Sequence, residues 1–539
     1  MPLDTLITGA VATLAGDSGF GWVEAIGITD GRVAFAGTEV ELETRADAHT
    51  ERIELGPDEV AIPGLTDAHL HLADAAIAAT QVDLASAGSL DEGLAMIAAR
   101  AAITPGAAAW IEGGGWDQRR WGRWPTAADL ERAVPGRLVG LWSFDHHAFW
   151  VSRAALEQAG LDSATPDPPG GLIRRDPAGA PDGVLLENAV PLVTARIPTA
   201  TAAELEAAIV QMGRELVSLG VVAVHDPGGM TADPDLSGAF VAYANLATAG
   251  RLPVRVHACF RSEALPTALA RGLRSGDPLG ASDGRAHVGW LKLFADGTLG
   301  SRTAATLDPI PPDDTHGLFR MTPTELADFA AEAAAGGVAS QIHAIGDHAV
   351  RASLDALEPT VGRVPLTPRL EHVQLVHPND VGRFAGSGIA ASVQPVHLRE
   401  DAATARRDWG VRAERDAYAW RSLAASGAMI PFGTDAPVEP IDPWPGLAMA
   451  VARHDRSWSP GTSPFGPGEA LPMQRVLRAA CVDGPRSAGE LDRGRLVPGQ
   501  RADVVVVPVA AVALPVDPIA LGSIRPRLVL VDGRVVFES

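Results

Sequence analysis

Eight short apolar segments, most followed by Ala-rich stretches of helical spacing, predict an α/β protein built on a parallel (β/α)8 TIM barrel. Strand-like segments at both chain ends, each with an Asp-Gly turn, predict a composite N-/C-terminal β-sandwich. One interval far too long for a βα unit predicts an inserted subdomain after the first barrel strand.

The elements follow in chain order. DTLITGAVATLA and EAIGITDGRVAFAG read as short strands turning at Asp30-Gly31, and ADVVVVPVAA and RLVLVDGRVVFES repeat the idea with a turn at Asp532-Gly533. The candidate barrel strands are 59–69, 220–226, 253–260, 288–294, 338–344, 369–376, 389–395 and 429–437. TAAELEAAIVQMGRELVSLG and TPTELADFAAEAAAGG open on a Thr cap, carry Glu early and end at Gly, which predicts helices. From 62 to 220 is 158 residues, against roughly 31 for one βα unit of a barrel. The surplus includes a probable hairpin, GGLIRRDPAGAPDGVLLENA, and a concentration of Trp that suggests a pocket with aromatic walls. The expected boundaries are 1–58 and 486–539 for the two parts of the sandwich, 59–105 and 201–485 for the barrel, and 106–200 for the insertion.

Composition narrows the function. The chain has 539 residues, 46% hydrophobic and 20% charged, so a large core forms and wholesale disorder is excluded. A net charge of −22 argues against nucleic acid and anionic membranes as partners. No stretch is apolar enough for a membrane span, and MPLDTLITGAVATLAG lacks a basic n-region before a long apolar run, so a soluble cytoplasmic protein without a signal peptide is expected. Two cysteines make neither a disulfide framework nor a Cys-rich zinc module, and Cys259 has no paired base motif. Among 44 basic residues, 43 are Arg and one is Lys292. Coding bias explains that broadly; a narrower reading is that position 292 needs an amine.

Catalytic groups of a barrel lie at the C-terminal ends of its strands. Here the first strand ends on His69 and His71, the fourth on Lys292, the fifth on His343, the sixth on His372 and the eighth on Asp435. His69 and His71, two apart on a strand, point to one face and can reach one metal ion. Each residue alone has a plain structural reading: a satisfied core histidine, or a turn-forming aspartate in GTDAP. Packing by itself does not predict all of them at the same end of five strands. A neutral Lys292 amine could take up carbon dioxide as a carbamate, whose two oxygens can bridge two ions about 3.5–4 Å apart.

The chain resembles the amidohydrolase superfamily, and within it amidohydrolase family 3, the branch of N-substituted formamide deformylase-like metal-dependent hydrolases. The resemblance rests on PGLTDAHLHL, GWDQRRW, DHHAFWVSRAAL, GWLKLFADGTLGSRTA, QIHAIGD, LEHVQL, SVQPVH, GTDAPVEPIDPW and GRLVPGQRADVVVV, spread over almost the entire chain. It implies the barrel, the composite sandwich and the insertion. It implies that His69, His71 and Asp435 bind a buried divalent metal, zinc by expectation. His343 and His372 would bind a second, more exposed one, with carbamylated Lys292 bridging; some relatives use one metal. A metal-activated hydroxide would attack the substrate carbonyl, and Asp435 would carry the proton to the leaving nitrogen.

Further substrate contacts are expected from His147 (beside Asp145 and His146) and Glu187 in the insertion, Arg302 in GSRTA, and Gln394 and His397 after the seventh strand. The favoured function is hydrolysis of an amide-like C–N bond in a small molecule. Ester or carbamate hydrolysis, deamination or decarboxylation could use the same site, because fold does not set the reaction. An inactive scaffold would be favoured by a missing ligand, and none is missing. Barrels of this kind often associate, and a homodimer stays open.

Overall fold

The computed structural model describes residues 3–104, 106, 109–143, 148–169, 171–187, 189–229, 236, 238–281, 284–312, 314–511, 514 and 521–539. It forms two compact units: Met1–Ala75 with Ile209–Ser539, and Ala76–Ala208.

The first unit holds a curled, seven-stranded parallel sheet. Its strands run Leu65–Asp67, Val221–Asp226, Arg255–Arg261, Ala286–Phe294, Ser340–Ala344, Arg369–His372 and Ala390–Ser392, each paired in parallel with the next. Val221–Asp226 and Ser340–Ala344 are buried along their whole length, as expected of a sheet covered on both faces. The segment 429–437, predicted as a strand, makes a single parallel bridge from Phe432 to Val393. Its backbone nevertheless bonds to both outer strands: Pro431 O accepts from Val393 N, Phe432 O from Ala68 N, and Asp435 N donates to His69 O.

The predicted strand 59–69 is two strands in two sheets. Val60–Pro63 joins the terminal sheet and Leu65–Asp67 the parallel one. Gly64 is the junction, where a Cβ would meet Val222 Cγ2 at 2.6 Å. A side chain there would have to displace Val222.

Both chain ends share one eight-stranded sheet, with Val504–Val507 antiparallel to Val60–Pro63. Both Asp-Gly turns have positive φ at each residue, 50° and 72° at Asp30-Gly31 and 49° and 72° at Asp532-Gly533, as a two-residue hairpin turn requires. Asp503 ties the sheets together: Arg255 Nη1 donates to its carboxylate at 2.9 Å and Arg493 Nε at 3.2 Å.

The predicted helices form with their caps. Thr322 and Glu325 exchange hydrogen bonds at the start of Pro323–Ala335, which ends at Gly336, and Thr201 caps Ala202–Ser218 through Glu204. Among the described residues, no helix is long and apolar enough to cross a membrane.

The second unit has a six-stranded sheet, and the predicted hairpin is Gly171–Arg175 against Pro181–Glu187. Its tryptophans build that unit's own core rather than pocket walls. Trp116 and Trp150 are fully buried with centroids 6.4 Å apart, and Trp121 and Trp124 pack against the same cluster.

Candidate metal centre

The C-terminal ends of the parallel strands open into a cavity of about 450 Å³. His69, His71, Lys292, His343, His372, His397 and Asp435 all line it. Strand Leu65–Asp67 stops just before His69, and close backbone approach holds the 68–71 segment in place. A Cβ at Gly433 would lie 2.5 Å from His69 N. Asp67 accepts from His69 N at 3.0 Å and from Thr434 Oγ1 at 2.7 Å, locking the two segments in register.

The imidazoles are oriented from behind. His69 Nδ1 lies 2.5 Å from Glu371 Oε2, and His71 Nδ1 lies 2.6 Å from the Gly228 carbonyl. Acceptors at both Nδ1 atoms place the proton there and leave both Nε2 lone pairs facing forward. Those Nε2 atoms sit 3.3 and 3.5 Å from Asp435 Oδ1. His69 Nε2 is buried without a hydrogen-bond partner among the described residues. Ligand atoms of His69, His71 and Asp435 lie within 4.8 Å of one another, as do those of His372, His397 and Asp435. Two imidazoles and a carboxylate are the donor set that zinc-class divalent ions take. The residues present therefore fit a metal ion.

Burial lowers the His71 imidazole, but Asp435 and Asp226 outweigh it and raise it. Burial raises the Asp435 carboxyl, but His69 and the bonds from His397, His69 and His71 outweigh it and keep Asp435 ionised. Burial pushes His343 down to about 3 and His372 well below the usual imidazole range, so both are neutral. Burial also pushes the Lys292 ammonium down to about 8. At His397 burial is overcome by Asp435 and Glu439, which raise it to about 10. Its Nε2 lies 3.2 Å from Asp435 Oδ2 and its Nδ1 3.3 Å from Glu439 Oε1.

The other expected residues are placed as follows. His343 lines the cavity and packs on His372 with centroids 4.5 Å apart. His343 Nε2 lies 3.0 Å from the Gly297 carbonyl. Arg302 donates to the carbonyls of Ile310 and Pro311 and lies 4.0 Å from Asp408. Gln394 is buried beside the site, its amide without a hydrogen-bond partner among the described residues. Glu187 ends a strand of the second unit in a left-handed conformation, φ 49°. Asp145, His146 and His147 lie outside the described residues.

Several residues at the site escaped the sequence reading: Glu371 and Glu439 behind the histidines, and Arg261, Phe294, Arg320 and Asp401 in the cavity wall. Glu371 directly precedes His372, and alternation on a strand sends it to the opposite face, which is the available signal. A third donor group, His257, His287 and Glu490, lies at the other ends of the strands. Arg255 and Arg501 line the same cavity and Arg493 bonds to Glu490, so cations already fill the role an ion would take.

The sequence profile of the amidohydrolase family matches residues 58–537. The chain belongs to the amidohydrolase family. It is 31% identical over 517 residues to Protein LONG AFTER FAR-RED 3 of Arabidopsis thaliana, covering 94% of this chain and 87% of that one. It is 27% identical over 552 residues to N-substituted formamide deformylase of Arthrobacter pascens, covering 96% and 95%. A metal-dependent hydrolase of Pyrococcus furiosus, of known structure, superposes with a TM-score of 0.74 at 26% identity, covering 96% of this chain and 99% of that one. As an amidohydrolase of this architecture the protein is a hydrolase that uses a divalent metal.

Proposed function

We propose that this amidohydrolase cleaves a C–N bond, amide-like, in a small molecule, with N-substituted formamides as the first class to test. The observation that carries the reading is the convergence of two rear-anchored imidazoles on Asp435. The formamide class is suggested by the Arthrobacter pascens relative. In this reading segment 429–437 is the eighth strand of a (β/α)8 barrel, and the terminal sheet belongs to a composite β-sandwich.

A divalent ion, zinc by the donor chemistry, supplies Lewis acidity toward water and a substrate carbonyl when bound. His69, His71 and Asp435 would hold it, with His343 and His372 on the outer side. Lys292, as a carbamate formed when its neutral amine takes up carbon dioxide and releases a proton, would offer two oxygens to divalent metal. Asp435 accepts a proton from the attacking water and delivers it to the leaving nitrogen, while His397 holds the Oδ2 atom of that carboxylate in place.

Metal content per chain, measured by plasma mass spectrometry on protein expressed with bicarbonate and without chelator, tests the site. Two ions support the carbamate-bridged form. One ion keeps the hydrolase and removes the bridge. No ion retained, and none bound on titration, overturns the reading. A chromogenic panel of amides, esters and carbamates then tests the bond, and turnover of esters alone would overturn the C–N assignment.

A further inference from the structure

The wall of the catalytic cavity carries two arginines that the proposed reaction does not use. Phe294, the last residue of its strand, has Arg261 Cζ 4.8 Å and Arg320 Cζ 4.7 Å from its ring centroid. Lys292 Nζ is 5.1 Å from the same centroid. Arg261 ends the neighbouring strand, opposite Lys292, and its Nε lies 3.5 Å from Glu263. Arg320 is set by backbone: its N–H donates to the Ala295 carbonyl at 2.8 Å, next to a bridge between Asp296 and Phe319. Through its guanidinium, Arg320 makes no hydrogen bond or ion pair among the described residues.

Stacking on an aromatic face orients a guanidinium while leaving its in-plane N–H groups unspent. Those groups match the two oxygens of a carboxylate. Arg320 is solvent-exposed at the cavity wall, and in a chain of net charge −22 it has no acidic partner among the described residues. The inner end of the cavity, at Asp435, is where a scissile bond would sit. The cationic end is therefore left for a substituent of the substrate.

We infer that the cavity takes an amide whose substituent bears a carboxylate, held by Arg320 with Arg261, both stacked on Phe294. This rests on the proposed C–N hydrolysis and departs from the apolar substituent that the tryptophan count suggests.

The test compares 4-formamidobenzoate with its near-isosteric neutral partner, 4-methylformanilide, on the metal-loaded enzyme. The carboxylate is expected to be preferred at least tenfold in kcat/KM, with the gain in KM and a KM that rises with salt. Arg320→Gln and Arg261→Gln should each bring the ratio toward one, and Arg320→Lys should keep part of it. Equal or better turnover of the neutral substrate, or an undiminished ratio in both glutamine variants, overturns the inference alone. If neither anilide is hydrolysed, the proposed reaction fails for this class, and calorimetry decides the inference separately. Binding of benzoate that Arg320→Gln weakens at least tenfold sustains the cationic subsite; no benzoate binding overturns it.

Discussion

His69 and His71 owe their orientation to what their Nδ1 atoms touch. Burial raises the Glu371 carboxyl, but Arg369 and His69 outweigh it and hold it at about 2, so a permanent anion stands behind His69. Arg369 in turn is fully buried and stacked 4.0 Å over Trp290. Glu371→Gln should lower metal affinity by roughly 10–100-fold, the usual effect of losing such a partner. It also strips buried Arg369 of its carboxylate, so unfolding free energy should fall by about 3 kcal/mol. Competitive metal titration and urea unfolding measure the two effects, and unchanged metal affinity would refute the role of Glu371. At this scale the cavity-lining positions were legible in sequence, since HxH, Lys292, His343, His372 and Asp435 each sit at the end of an apolar run. Their supports were not, because Glu371 and Glu439 are ordinary acidic residues until another element packs against them.

The elements follow local rules wherever one sheet decides them. Thr322 with Glu325, and the two Asp-Gly turns, act as their sequences imply. Segment 59–69 departs because two sheets compete for one apolar run, and Gly64 lets the chain pass between them. Gly64→Ala should cost roughly 1–3 kcal/mol, since the new methyl must displace Val222. Gly382, in helix Pro378–Ser387, is the control, because an added Cβ there would meet nothing within 4 Å. Gly382→Ala should add roughly 0.5–1 kcal/mol by helix propensity. Denaturant midpoints compare them, and a neutral Gly64→Ala would remove close approach as the reason for glycine. The tryptophans teach the converse: aromatic enrichment marked a hydrophobic core, because large rings bury most area when they pack on each other.

For the molecule as a whole, Asp503 couples the parallel sheet to the sheet formed by the chain termini. Burial raises its carboxyl, but Arg255 and Arg493 outweigh burial and hold it at about 2. A carboxyl lower in the folded than in the unfolded chain adds stability above the unfolded value, near 3.8, and loses it as pH falls through about 2. The contribution is about 2 kcal/mol at neutral pH. Urea unfolding from pH 7 to pH 2 should show the gap between wild type and Asp503→Asn narrowing below about pH 4. A gap that stays constant over that range would assign the effect to packing instead.

The sequence by itself determined the alternation of apolar strands and Ala-rich helices, the turn chemistry of both ends and the residues that converge at the cavity. These are local facts: side-chain period, cap residues and strand ends are written within a few positions of one another. Only the tertiary structure decided that one predicted strand serves two sheets, that His397 faces Asp435, and that Arg320 meets Phe294 and Arg261 at the cavity wall. Those contacts join residues tens to hundreds of positions apart, and their distances are set by packing of the whole chain rather than by any local preference.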